Sequence, residues 1–375
     1  MGIRLSFGLS ERICMPCPVG GTRGAGLGNE IFPWAKAYLA SRELGFRLLG
    51  PAWGLSGRGY WREFGTSRLD WAGHAALRAV LPTATVTAGM VRATRETDYG
   101  SAIRVLDAEF GWSKQHSLVL LHEGMSGGFH GIARARDFLR MKLLGHLPHP
   151  DAHHWSADPP RLHVAVHARL GDFSDGRSGP QPGDFNTCLP AQWYRSVLDA
   201  MRRAFGDALH VDILTDAPDR AARLLPEYRN NIRRRTALQD LSVMAAADLL
   251  ICSVSSFSML AAFLSDAPYV WYRPHLGETN GFLSIWGHEV EHDTILTAAN
   301  ISTESQDAID VLPTRGIPMD VGDDLPNWLT QFMRTKLALN RRSADLIHYG
   351  VVPLSREPLP SSADPAPLRP QPRGC

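Results

Sequence analysis

The residues best suited to chemistry lie in the run Val166-His167-Ala168-Arg169-Leu170-Gly171-Asp172. An apolar stretch, residues 162–167, reads as a β-strand that ends in His-x-Arg-x-Gly-Asp. In doubly wound sheets ligands bind beyond the carboxyl ends of the strands, so Arg169 emerges where a ligand would sit. Its planar fork matches a diphosphate better than the point charge of a lysine. Gly171 lets the backbone turn or approach a ligand closely. The competing reading is an Arg–Asp pair that only staples a βα loop.

Three further segments carry candidates. Residues 249–252 read as a strand, followed by Ser253, Ser255, Ser256 and Ser258 around the start of a helix. Hydroxyls and unpaired N–H groups at a helix start make an anion site. Plain N-capping by Ser255 or Ser256 is the alternative. Gly24-Ala25-Gly26-Leu27-Gly28-Asn29-Glu30 follows a strand and opens a helix. It does not complete the dinucleotide-binding register, and no clear acidic partner follows the next strand. Gly26 and Gly28 would still let a ligand approach the backbone, and Asn29 would cap the helix or point at a sugar. Residues 211–216 end a strand at Asp216. That carboxylate would accept hydrogen bonds from a guanine edge, or cap the helix that follows.

The elements that must position these groups read as two α/β regions. Residues 13–18, 29–44 and 46–49 give β-loop-α-β, with apolar residues at helical spacing in the middle piece. A strand at 117–122 and a helix through Ile132, Ala135 and Leu139, stopping near Gly145, complete the first region. Residues 53–117 give no clear pattern. The second region alternates strands at 162–167, 210–214, 249–252 and 268–271 with helices at 190–205, 238–247 and 255–264. Short apolar strands alternating with helices mean a parallel sheet covered on both faces. We divide the chain into a first domain at 1–150, a Pro/His-rich linker at 151–160, a second domain at 161–300 and a segment at 301–350. That segment has a late helix at 324–339, its return to the first domain left open. A disordered tail takes 351–375.

Composition narrows the function. The 375 residues carry 39 Lys+Arg against 38 Asp+Glu, a formal net charge of +1, which argues against nucleic-acid binding by bulk charge. No apolar run approaches a membrane span, and charged residues near the start break up any signal sequence, so the expected location is the cytoplasm, with peripheral membrane association still allowed. Five cysteines at irregular spacing do not form a disulfide framework. One CxxC pair, Cys14 and Cys17, reads as a strand end rather than half a zinc site. His146, His149, His153 and His154 crowd the linker at a spacing that fits no closed metal site. Asn300-Ile301-Ser302 matches a glycosylation sequon without a secretory signal.

Four blocks in this order resemble the α-1,2-fucosyltransferase family and the wider superfamily that uses GDP-fucose. They are Gly26-Leu27-Gly28-Asn29 with Ile31-Phe32; His167 to Asp172; Thr215-Asp216; and Asp240-Leu241-Ser242-Val243-Met244 with Ser255-Ser256-Phe257-Ser258 downstream. The resemblance implies a GT-B architecture, two Rossmann-like doubly wound domains facing across a cleft. It implies an inverting, metal-independent transfer of fucose from GDP-fucose to a glycan hydroxyl, of the kind used in building bacterial surface polysaccharides. Arg169 would hold the β-phosphate and stabilise the leaving GDP. His167 would lie against the guanine and Asp216 would bond its edge. Ser255, Ser256 and Ser258 would line the diphosphate, and Asn29 would face the fucose or the acceptor. Where many members have a second arginine this chain has Leu170, and where Gln is usual after Gly-Asn it has Glu30. Glu30, on the acceptor-side domain, is the expected general base, with Asp172 as its rival. A transferase using another nucleotide sugar, and a non-catalytic nucleotide- or glycan-binding protein on the same fold, are the alternatives.

Overall fold

The computed structural model describes residues 11–19, 24–145, 161–173, 187–265, 267–279, 282–284, 316–339 and 351–353. The linker at 151–160, Asp175 and Asp184 of the loop after Asp172, the sequon and the chain beyond 353 lie outside the described residues.

The first half contains β1 (Arg12–Pro16), α1 (Leu27–Leu44), β2 (Arg47–Leu48), α2 (Tyr60–Phe64), α3 (Arg68–Val80), β3 (Thr83–Val86), α4 (Ala88–Thr94), α5 (Tyr99–Phe110), β4 (Leu118–His122), α6 (Gly128–Gly131) and α7 (Arg136–Leu144). Its four strands pair in parallel in the order β2-β1-β4-β3. The span without a clear sequence pattern holds α2 to α5 and β3. Side chains cap the starts of three of these helices: Ser67 with Asp70 in a capping box for α3, Thr87 for α4 and Asp98 for α5. Cys14 packs into the main core while Cys17 lies against the smaller cluster on the other side of the sheet. Residues three apart on a strand point to opposite faces, so this CxxC does not converge on a metal.

The second half contains β5 (Leu162–Ala168), α8 (Ala191–Phe205), β6 (Leu209–Thr215), α9 (Pro218–Leu224), α10 (Ala237–Ala246), β7 (Leu249–Ile251), α11 (Ser256–Leu264), β8 (Tyr269–Tyr272), β9 (Gly277–Thr279), β10 (Phe282–Ser284), β11 (Gly316–Met319), α12 (Asn327–Leu339) and β12 (Val351–Pro353). Five strands form a parallel sheet in the order β11-β8-β7-β5-β6. Every residue of β5 is buried, as a strand covered on both faces requires. The architecture is therefore the expected α/β one of two parallel sheets with flanking helices. A small antiparallel sheet, β12-β10-β9, uses residues 351–353, which the sequence reading assigned to a disordered tail. The late helix α12 is tied to the second half, where Lys336 Nζ lies 2.5 Å from Asp248.

The two halves are joined helix end to helix end. A Cβ on Gly28 would lie 2.4–2.6 Å from the backbone of Ser256 and Phe257, so only glycine lets the start of α1 meet the start of α11. At the other end of α11, Arg136 from α7 donates to the carbonyls of Phe263 (2.6 Å) and Ser265 (2.8 Å). Glu63 from α2 accepts from the Leu238 N–H at the start of α10, at 2.9 Å. Each contact satisfies a helix-terminal group that its own helix leaves unpaired. The buried side chains of both halves run into one continuous core.

Candidate active site

Both sheets reverse direction at one strand. β1 has β2 on one side and β4 on the other; β5 has β6 on one side and β7 on the other. The crevices at these switch points, beyond the carboxyl ends of the strands, are where parallel sheets take ligands. Here they open onto one cleft of about 1010 Å³, lined from both halves. The loop after β1 contributes Val19, Ala25 and Gly26, the first turn of α1 contributes Asn29, and the loop after β4 contributes Glu123 and Ser126. The second half contributes His167, Arg169, Asp172, Asp216, Ser255 and Ser256. Most of the residues singled out by sequence thus meet at one place, although they lie up to 230 positions apart between Gly26 and Ser256.

Arg169 leaves the end of β5 with its guanidinium half held. Its Nε and NH2 donate to Asp172 at 2.9 Å each, and Nε lies 3.1 Å from Asp216 Oδ2. Asp216 also accepts from the backbone N–H groups of Leu170 (2.9 Å) and Gly171 (3.0 Å). A Cβ on Gly171 would sit 2.5 Å from that carboxylate, so glycine is required for the loop to fold over Asp216. The carboxylate of Asp216 is thereby occupied in shaping the Arg169 loop. It does not cap α9, whose N-cap, Ala217, has no side-chain cap. Asp172 lies between Arg169 and Arg58. Burial raises its pKa, but hydrogen bonds from Arg169 and the charges of Arg169 and Arg58 outweigh this and hold it below the usual aspartate value.

Glu30 does not reach the cleft. Its side chain turns under the glycine-rich loop, 3% exposed, and accepts from Val19 N–H (3.2 Å), Ala25 N–H (3.1 Å) and Trp53 Nε1 (3.3 Å). Burial raises its pKa against the pull of these donors. Its position makes it the anchor of the loop, and the base role expected of it has no geometric footing. Gly28 is spent on packing against Ser256. Gly26 does line the cleft, with open space where a Cβ would be. Asn29 lines it too, and its Oδ1 is buried with no hydrogen-bond partner among the described residues.

The serines divide. Ser255 is the N-cap of α11 and accepts from Phe257 N–H at 3.2 Å. Ser256, the first helical residue, lines the cleft beside it. Ser258 is fully buried behind them, so it does not line a diphosphate. Its Oγ lies 2.7 Å from His167 Nδ1, and Ser253 Oγ lies 3.1 Å from the same nitrogen. Burial, aided by the charge of Arg169, lowers the His167 pKa to about 3, so the ring is a neutral wall of the cleft. A run of serines does not distinguish these roles, because helix phase decides which hydroxyl faces out.

The cleft residues that the sequence did not mark as site residues include Arg58, Glu123, Arg235 and Asp240. Asp240 belongs to the Asp-Leu-Ser-x-Met block, but nothing in the block marks it as a site residue. Burial pushes its pKa up to about 7. Its Oδ1 has no hydrogen-bond partner among the described residues, only a 3.9 Å contact with Arg235. Arg235 is itself held by Asp212, 2.6 Å away. Lys36, 1% exposed, donates to the carbonyls of Glu123 (3.2 Å) and Gly124 (2.9 Å) and to Ser126 Oγ (3.0 Å), fixing the loop after β4 from below. Among the described residues one His/His/Asp group, His163, His210 and Asp212, has metal-ligand proximity. It lies within the second sheet and does not line the cleft.

No protein-family model and no curated protein matches the sequence. Two solved structures of E. coli heptosyltransferase WaaC are similar to the chain. One, with ADP, has 13% identity over 88% of this chain and 100% of the other, at a TM-score of 0.36. The second, with ADP-2-deoxy-2-fluoro heptose, has 14% identity over the same shares, at a TM-score of 0.38. A likeness this distant bears on neither activity nor ligand.

Proposed function

We propose that the chain is an inverting glycosyltransferase that takes its sugar from a nucleoside diphosphate donor, GDP-fucose on the sequence resemblance, and passes it to a glycan hydroxyl. The observation that supports this most is the convergence of Arg169, the capped start of α11 and the loop of Asn29 on one cleft at the switch points of two parallel sheets. In this reading Arg169 and the N–H groups at Ser255 and Ser256 hold the diphosphate. The carboxylate of Asp240, which lines the cleft, replaces Asp216 as the acceptor for the edge of the base. The second-half residues thus take the donor, and the first half takes the acceptor.

The chemistry then needs a base on the acceptor side. Among the described residues that line the cleft, Glu123 is the one carboxylate of the first half. It follows β4, neighbour to β1, and Lys36 fixes its backbone. Glu123 removes the proton of the acceptor hydroxyl as that oxygen attacks the anomeric carbon. The bond from that carbon to the β-phosphate oxygen breaks, and its electron pair stays on the departing diphosphate, where Arg169 stabilises the charge. Asp172 is ill suited to the base role, because the arginines that flank it lower its affinity for a proton.

Calorimetry with GDP, GDP-fucose and UDP, each with a chelator present, tests the reading. GDP and GDP-fucose are expected to bind and UDP to bind far more weakly. Preference for UDP would overturn the donor assignment, and loss of GDP binding with chelator would overturn the metal-independent one. Silence with all three ligands would overturn the GDP-sugar reading.

A further inference from the structure

We infer that the diphosphate is clamped from both halves of the molecule, by Arg169 and by Arg58, and that Asp172 holds the anion position between them until a ligand displaces it. The inference rests on the reading of the cleft as a diphosphate site. Many members of the family the sequence resembles carry a second arginine beside the first, at the position of residue 170 here. That residue is Leu170, 3% exposed and packed into the core.

Arg58 reaches the same place from the other half. It lines the cleft, its NH2 lies 3.8 Å from Asp172 Oδ2, and its Nε donates to the Gly24 carbonyl at 3.4 Å. The Asp172 carboxylate is bonded to Arg169 at 2.9 Å on its other side. Two guanidinium groups from different halves therefore share one carboxylate at the mouth of the Arg169 loop. Side-chain exposures of 26% for Arg58, 21% for Arg169 and 36% for Asp172 leave all three within reach of a solute.

Charge decides what such an arrangement does. Asp172 and Asp216 together balance Arg58 and Arg169, so a diphosphate entering with both carboxylates in place would meet a neutral cluster. Asp216 is fixed by two backbone N–H groups of the Arg169 loop. The Asp172 carboxylate bonds Arg169 and lies beside Arg58, the same groups an incoming phosphate would take. Displacing it returns two cations to the ligand, and the ligand then ties the first half to the second.

The test uses the full chain with three probes: GDP, inorganic pyrophosphate and guanosine. Arg58→Gln keeps the aliphatic stem and removes the charge. It is expected to weaken GDP and pyrophosphate by about tenfold or more, the effect of losing one charge-assisted contact, and to leave guanosine unchanged. Asp172→Asn is expected to tighten GDP and pyrophosphate severalfold, because the competing charge is gone. A variant at Arg58 that binds pyrophosphate as the parent does overturns the clamp. Weaker pyrophosphate binding by Asp172→Asn overturns the displacement, and makes Asp172 a residue that orients Arg169. A parent chain that binds pyrophosphate but not GDP sinks the nucleotide reading and leaves the clamp standing; one that binds neither sinks both.

Discussion

Arg169 is set by its neighbours more than by its own strand. Asp216 stands under the loop and holds two of its N–H groups, and the same carboxylate steers the guanidinium. Arg169→Ala is expected to slow transfer by about a hundredfold or more, the scale of losing one stabiliser of a leaving group. A circular dichroism melt close to that of the parent is expected alongside, since the side chain is not core. Glu123→Gln is expected to cut the transfer rate by about a hundredfold with GDP affinity unchanged. Undiminished turnover in that variant would remove Glu123 from the mechanism. Glu30→Gln behaves differently on this geometry. Its carboxylate holds three donors under the glycine loop. Replacing it is expected to cost about 1–3 kcal/mol of stability, read from denaturant unfolding, before any effect on chemistry.

At the scale of elements, the contact between the starts of α1 and α11 carries most of the design. It places the N-termini of two helices from different halves at one cleft, and Gly28 permits it. Gly28→Ala would drive a methyl group to 2.4–2.6 Å from the Ser256 and Phe257 backbone, and helices cannot yield there as a flexible side chain would. Overpacking of this kind costs about 1–3 kcal/mol, and the shift would open the cleft. Gly26→Ala, two residues earlier with nothing within 4 Å of its Cβ, is the control and is expected to melt like the parent. Equal melting temperatures for the two variants would show that the helix contact is not under constraint.

At the scale of the whole molecule, buried titratable groups make stability depend on pH. Burial lowers the pKa of His122 and of His167 from 6.5 to about 3, with the nearby charges of Lys36 and Arg169 acting in the same direction. Between those values the unfolded chain binds the proton and the folded chain does not. Acid therefore favours unfolding: the stabilisation is complete above about pH 6.5 and is lost as pH falls towards 3. Asp240, raised from 3.8 to about 7, opposes this between those values, because there the folded chain holds the extra proton. Each proton bound by only one of the two states is worth about 1.4 kcal/mol per pH unit. His122 lies away from the cleft, bonded through Nδ1 to the Tyr99 hydroxyl at 2.8 Å. Denaturant unfolding at several pH values is expected to show a shallower acid limb for His122→Gln than for the parent. An identical slope would remove His122 from the balance. Among the described residues no helix is long and apolar enough to cross a membrane.

The sequence by itself determined the parallel α/β character of both halves, because fully buried strands and their covering helices leave apolar runs with a readable period. It singled out Arg169 as the leading candidate, because strand, glycine and aspartate lie within four positions of it, and Arg169 lines the cleft. It also carried the caps of α3, α4 and α5, and the apolar residues Tyr99, Ala102, Ile103 and Leu106 that α5 buries, although the sequence reading found no clear pattern there. Only the tertiary structure decided which candidates share the cleft. Glu30 and Ser258 are one or two residues from side chains that do line it, yet helix phase turns both inward. Asp216 was legible as a carboxylate at a strand end, but whether it serves a ligand or its own loop depends on the backbone of residues 170 and 171, 45 and more positions away. Arg58 and Glu123 come from loops in the first half whose approach to Arg169 exists only once α1 and α11 have met. Local periodicity records what each element buries, whereas a site between two domains is made by contacts that no single stretch of chain contains.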